Sequence, residues 1–292
     1  MLASRQQSLS SLRRDAWVEV DLGAIEKNLS IVRSYLNLPE TTASDKRTKV
    51  MAVVKGDAYG HGAIEVAEVL IAAGADWLGV ASVDEGCQLR AAEIKAPVLI
   101  LSPAPSWALQ TVLECNLNLT VTSVSQIKDL QWSASRMGKR GQVNVKVDTG
   151  MHRLGASEKD LPSLLEEIDH SANLDLVSIF THLAKAGDED ATKRQNETFQ
   201  RCLRIARGAR KQPSLVHMAS SEATRFFPFT HYDMVRVGIY LYGLEARTVS
   251  DRLLPSMSVR GRINHVQDIA AGESAGYNYT WTASSDARLG SI

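Results

Sequence analysis

Lys49-Val50-Met51-Ala52-Val53-Val54-Lys55, apolar at every position between its two lysines, is the stretch on which the fold turns. A short, valine-rich run with no polar residue inside it suits a strand covered on both faces, as in a parallel sheet. Similar runs occupy 76–82, 97–102, 119–123, 143–149, 176–182, 214–220 and 234–240. Helix-compatible stretches lie between most of them, among them 63–73, 84–93, 106–115 and 190–207. Between the last two runs, 221–227 leaves room for a short helix only. Such alternation predicts parallel strands joined by helical crossovers. Eight units in about 200 residues match the usual size of a (β/α)8 barrel. An open doubly wound sheet is the rival architecture, and the count of eight favours the barrel. Upstream of the first run, Leu22, Ile25, Leu29, Val32 and Leu36 recur at helical spacing.

After Gly243 the texture changes. Residues 259–268 alternate like one half-exposed strand, and Ala271-Gly272-Glu273 reads as a turn. Tyr277, Tyr279 and Trp281 again repeat with period two, and Leu289-Gly290-Ser291-Ile292 reads as the start of a further strand. This stretch is expected to begin a β domain that, at about fifty residues, is too small to stand alone. The expected organisation is a flexible N-terminus over 1–16, a barrel over 17–245 and an incomplete C-terminal β domain over 246–292.

Composition narrows the function. Of the 292 residues, 44% are hydrophobic and 23% charged, which is ordinary for a soluble globular protein. A formal net charge of zero favours neither nucleic acid nor an anionic membrane as partner. The apolar runs are strand-length, far short of a membrane span. The first residues carry Arg5, Arg13 and Arg14 but no apolar core, so secretion is not expected. The cysteines Cys87, Cys115 and Cys202 are odd in number and far apart. No disulfide framework and no metal spacing is expected from them, and a reducing cytoplasm is the simplest setting.

In a barrel, chemistry gathers where strands end. Lys55 closes the first strand, and a half-buried amine there is favoured in its neutral, nucleophilic form. A lysine snorkelling to water fits the same position. Lys146 and Asp148 share one face of the fifth strand, and charges facing a barrel interior require partners. His182 ends the sixth strand, in a place that suits a core histidine as well as a site. Ser220 and Ser221 end the seventh strand and open a helix, which suits a phosphate or a plain N-cap. Arg236, between Val235 and Val237 on the eighth, needs an acceptor if buried. Each signal is weak alone; together they favour an enzyme over a binding or structural module.

Four ordered motifs carry a family resemblance. Val54-Lys55-Gly56-Asp57-Ala58-Tyr59-Gly60-His61-Gly62 resembles the signature of alanine racemases around the lysine that holds pyridoxal 5'-phosphate (PLP). Lys146-Val147-Asp148-Thr149-Gly150-Met151-His152-Arg153-Leu154-Gly155 is similar to the family's second signature. Phe180-Thr181-His182-Leu183-Ala184 and the segment from Val235 to Gly243 match in order and spacing. The resemblance runs from about Trp17 to the last residue.

It implies that Lys55 binds PLP covalently and exchanges the α-proton on the D-alanine side. It implies that Tyr59 and Ser221 hydrogen-bond the phosphate, that His182 packs on the pyridine ring, and that Arg236 faces the pyridine nitrogen. Gly238 and Ile239 complete the implied cofactor-binding set. Arg153 is implied at the substrate carboxylate, supported by Lys146, which family members often carry as a carbamate. Ser220 stands where many relatives have asparagine. The family's second acid/base, a tyrosine from the partner subunit of a head-to-tail homodimer, is expected just beyond Ile292, so the chain reads as a fragment. The activity implied is interconversion of L- and D-alanine for cell-wall synthesis. Three rivals remain: a PLP-binding barrel without racemase activity, a racemase of serine or another small amino acid, and a non-enzymatic interaction protein on the same barrel.

Overall fold

The computed structural model describes residues 15–36, 47–244 and 253–292, so the expected flexible N-terminus lies outside it except for its last two residues. Contacts divide the chain into two compact units, Leu22–Ser256 and one made of Met1–Asp21 with Met257–Ile292.

β1 (Ala16–Val20) belongs to the second unit. The first is built on β2 (Lys49–Val53), β3 (Trp77–Val80), β4 (Val98–Ile100), β5 (Asn118–Val121), β6 (Gly141–Lys146), β7 (Leu174–Phe180), β8 (Leu215–His217) and β9 (Met234–Val237). Each strand pairs in parallel with the next, and β2 also pairs with β9, from Lys49 against Met234 to Ala52 against Val237. The sheet is therefore a closed barrel, as the alternation predicted. Serines and an aspartate set the starts of several crossover helices. The Ser82 hydroxyl accepts from the Glu85 N–H, Ser123 does the same for Gln126, and the Asp188 carboxylate accepts from Ala191.

Period two along each strand decides what fills the barrel. Met51, Trp77, Leu99, Phe180, Leu215 and Met234 form one buried cluster. Two and four residues beyond Met51 come Val53 and Lys55; two beyond Leu99 comes Leu101; two and four beyond Met234 come Arg236 and Gly238. All of these line a cavity at the carboxyl ends of the strands. Along β2, β4 and β9 the apolar plug and the site above it are thus one pattern.

One expectation is corrected here. Cys87, on the helix Val83–Ala91, and Cys115, just after the helix Leu109–Glu114, form a disulfide with their Cα atoms 5.7 Å apart. They lie 28 residues apart in sequence, but the helical layer brings the two segments together. Cys202 is free and buried.

In the second unit, β1 pairs antiparallel with β10 (Met257–Gly261), from Ala16 against Gly261 to Val20 against Met257. β11 (His265–Ile269) pairs with β14 (Ala287–Ser291), and β12 (Ser274–Ala275) with β13 (Trp281–Thr282), both antiparallel. The single strand expected over 259–268 is therefore two, broken after Gly261. The strand expected through Tyr277 and Tyr279 is instead one short helical turn, in which Asn278 adopts φ +58°. The turn at Ala271-Gly272-Glu273 and a final strand are both present.

Candidate active site

A cavity of about 470 Å3 opens at the carboxyl ends of the barrel strands. All but one of the residues singled out above border it, Asp148 being the exception: Lys55 and Tyr59 after β2, Lys146 on β6, Arg153 beyond it, and His182 after β7. Ser221, Arg236, Gly238 and Ile239 complete the set, with Ser220 beside them. Its lining holds four basic residues, Lys55, Lys146, Arg153 and Arg236, and one acidic residue, Glu222. A site of that charge favours anions.

Lys55 is held by an unusual turn. Gly56, Asp57, Ala58 and Tyr59 take φ of +62°, +52°, +53° and +55°, one turn of left-handed helix. For residues with a Cβ this backbone is disfavoured by roughly 1–2 kcal/mol each. The surroundings compensate. The Asp57 carboxylate accepts from the Ala63 N–H at 2.7 Å, and the Ala58 N–H donates to the Val54 carbonyl at 2.9 Å. The Tyr59 ring packs 5.0 Å from Tyr242, whose hydroxyl donates to the Val53 carbonyl. Burial pushes the Tyr59 phenol above its ordinary value, so it remains a hydroxyl donor. Opposite it, the Gly238 N–H donates to Ser221 Oγ at 3.1 Å. A Cβ on Gly238 would come within 2.7 Å of the Tyr59 hydroxyl, so the close approach of the two segments requires glycine.

Arg236 is the most tightly held member. One terminal nitrogen donates to His217 Nδ1 at 2.8 Å; the other donates to the carbonyls of Thr181 at 2.5 Å and Met218 at 2.9 Å and lies 3.3 Å from His182 Nδ1. Burial pulls its pKa down to about 9. At neutral pH it remains a cation, and its two terminal nitrogens donate to three acceptors that suit the charged form. A guanidinium has no lone pair to offer, so His217 must accept at Nδ1 and carry its proton on Nε2. That nitrogen lies 3.0 Å from Ser178 Oγ, which in turn donates to Asn144 at 2.7 Å. Phe180 stacks on His217 with 4.7 Å between ring centres. Burial, then Arg236, keeps His217 far below the ordinary imidazole value. His182 is held down to about 3, first by burial and then by Arg236, Lys146, Arg153 and Lys55. Both rings are neutral at any physiological pH.

Lys146 is buried, and its pKa falls to about 8, first through burial and then through Arg236 and Arg153. Asp148 forms no pair with it. Its Oδ1 accepts from the N–H groups of Gly150, Met151 and His152, and its Oδ2 lies 3.0 Å from His152 Nδ1. The aspartate is thereby spent on shaping the loop that carries Arg153. Gly155 closes that loop with φ +145°, where a Cβ would meet the Asp148 backbone nitrogen at 2.4 Å. Gln195, which sequence reasoning passed over, binds two loops together. It donates to Thr149 Oγ1 and the His182 carbonyl and accepts from the Ala184 N–H. His217 was also passed over, although a histidine inside an apolar strand two places from Leu215 was a legible sign. Gln195 carried no such sign, being one polar residue on a polar helix.

Fold and site together define a barrel enzyme with a primary amine set in an anion-binding cavity. Residues 20–246 match the family described as "Alanine racemase, N-terminal domain". The chain is 37% identical to an alanine racemase of Nostoc sp., with 99% of this chain and 75% of that protein covered. It is 34% identical to alanine racemase 1 of Oceanobacillus iheyensis, covering 96% and 74%. Among solved structures, the alanine racemase of Clostridium difficile 630 superposes with a TM-score of 0.86 at 28% identity, over 96% of this chain and 73% of that one. A histidine racemase from Leuconostoc mesenteroides superposes with a TM-score of 0.84 at 26% identity, over 95% and 74%. The chain belongs to the alanine racemase family, and its activity is that of an isomerase, a racemase. Among the described residues no helix is long and apolar enough to cross a membrane.

Proposed function

We propose that this chain racemises alanine with PLP bound through Lys55. The observation that carries the reading is the convergence of an amine, two hydroxyls and three further cations on one cavity of about 470 Å3. That volume lies within the roughly 300–1,000 Å3 usual for small-ligand pockets. The donor set fits the cofactor. The hydroxyls of Tyr59 and Ser221, with the backbone at Gly238 and Ile239, make a cradle for a phosphate that a side chain at position 238 would fill. The bound cofactor supplies an electron sink that acidifies the substrate's α-carbon.

The chain's own groups do the rest. Lys55 would hold the cofactor through its amine, and that amine would take or return the α-proton on one face of the substrate. Arg236, a donor only, would hold the ring nitrogen without protonating it, and so would weaken the sink and restrain side reactions. Neutral His182 would pack against the ring without adding charge. Arg153 pairs with the substrate carboxylate, steadied by the Asp148-centred loop and, once Lys146 is carbamylated, by that anion. Lys146, with a pKa near 8, has the neutral fraction needed to take up CO2 as a carbamate. The opposite face of the substrate needs a second acid/base, and on this reading a partner subunit supplies it. A source of D-alanine for the cell wall is the role that follows.

The likeness to a histidine racemase makes side-chain choice the point to test. Purified protein incubated with PLP should be trapped on Lys55 by borohydride, located by peptide mass. Chiral chromatography should then find conversion of L-alanine exceeding that of L-serine and L-histidine. Trapping without conversion of any of them would favour a PLP-binding barrel that is not a racemase. Conversion of serine or histidine in preference would replace the substrate.

A further inference from the structure

We propose that Glu85 is a positioning residue that clamps the turn presenting Lys55, an inference that rests on the reading of Lys55 as the cofactor-holding amine. Ser82-Val83-Asp84-Glu85 has the form of a capping box, with the Ser82 hydroxyl accepting from the Glu85 N–H at 3.2 Å. In that motif the glutamate ordinarily reaches back to the N–H of the capping residue itself. Here it does something else. Its Oε2 accepts from the N–H of Ala81, one residue earlier, at 2.7 Å, and its Oε1 accepts from the N–H of Gly56, also at 2.7 Å. Gly56 directly follows Lys55, and Ala81 directly follows β3. One carboxylate therefore ties together the ends of two neighbouring barrel strands at the rim of the cavity.

The clamp is placed where the backbone needs it. Gly56 opens the left-handed turn, and three of the four residues in that turn carry side chains. Such a turn persists only when its surroundings over-determine it. The turn's internal hydrogen bonds hold Ala58 and His61, and Asp57 reaches forward to Ala63, but the first N–H goes to Glu85. A carboxylate accepts at both oxygens and offers no donor, which is what two convergent N–H groups require; a carboxamide offers one oxygen and one donor group. A glutamate serving its own helix alone would have no use for Gly56. By fixing Gly56, Glu85 sets the direction of the Lys55 side chain and the place of Tyr59.

The test compares the whole chain with its Glu85→Gln and Glu85→Ala variants. Amide hydrogen exchange without cofactor should show Gly56 or Ala81 exchanging at least tenfold faster in Glu85→Gln, and both faster in Glu85→Ala. The amides of β6 and β7 should be unchanged. The rate of PLP capture should fall at least tenfold, and the pH midpoint of the lysine-bound cofactor's visible band should move. Faster Gly56 exchange with unchanged capture and midpoint would overturn the positioning role. A uniform rise in exchange through the barrel would do the same, since it would make Glu85 merely structural. If the unaltered chain captures no PLP, the cofactor reading fails; if it does and the variants match it, the clamp alone fails.

Discussion

Lys146→Met is the substitution whose outcome is hardest to guess without the site's electrostatics. Methionine keeps the unbranched stem, which runs past Phe180 with the ammonium 5.7 Å from the ring centre, and removes only the charge. The pKa of Lys146 drops from an ordinary 10.5 to about 8, because burial and then Arg236 and Arg153 oppose its protonated form. At 1.36 kcal/mol for each tenfold change, holding that proton in the folded state costs roughly 3 kcal/mol. The sign follows from proton counting. Between pH 8 and 10.5 the unfolded chain binds more protons than the folded one, so the Lys146 protein gains stability as pH rises through that window. Below it the penalty is constant.

Lys146→Met should therefore be more stable than the parent by about 2–3 kcal/mol at pH 6–7 in CO2-free buffer. The advantage should shrink above pH 8 and fade towards pH 10.5. Urea midpoints across that range measure it. Bicarbonate should stabilise the parent and leave the variant unmoved, because a carbamate on Lys146 would turn a repelled cation into a paired anion. A variant less stable at every pH, or an advantage independent of pH, would refute the electrostatic reasoning.

Other consequences are simpler. Cys87→Ser, or reduction, releases a crosslink between residues 28 apart and should lower stability by about 3–4 kcal/mol in the chain-entropy picture, read as a fall in thermal midpoint that a reductant produces only in the parent. Gly238→Ala forces the Tyr59 hydroxyl away from a contact of 2.7 Å; stability should fall by about 1–3 kcal/mol and PLP should bind at least tenfold more weakly, and undiminished binding in equilibrium dialysis would remove Tyr59 from the phosphate cradle. Gln195→Leu leaves the Ala184 N–H and the Thr149 hydroxyl without that partner, so a loss of about 2–4 kcal/mol by urea unfolding is expected, accompanied by a raised KM for the amino acid.

The barrel and its site were legible for one reason. β2 and the residues just past it set the core residue Met51 and the cavity-lining Val53 and Lys55 at period two, so one pattern encodes all three, whereas Tyr59, Gly238 and Ile239 entered only through the family resemblance. What lay outside that pattern was not legible. Asp57, Ala58 and Tyr59 have no preference for left-handed backbone, and only the neighbouring glycines at 56, 60 and 62 hinted at the turn. Tyr277 and Tyr279 alternate like a strand, yet the positive φ of Gly276 and Asn278 wraps them into a helical turn. Cys87 and Cys115 become partners only through the packing of neighbouring helices. Glu85 carried the marks of a helix cap, and its second bond, to Gly56, exists only once β2 and β3 lie side by side.

The most direct test of the central claim is α-proton exchange in heavy water with PLP present, followed by proton NMR for D-alanine and L-alanine separately. Lys55 as the base on the D-alanine side predicts exchange from D-alanine that is lost in Lys55→Ala. No exchange from either enantiomer while PLP is held on Lys55, or exchange that survives Lys55→Ala, would contradict it.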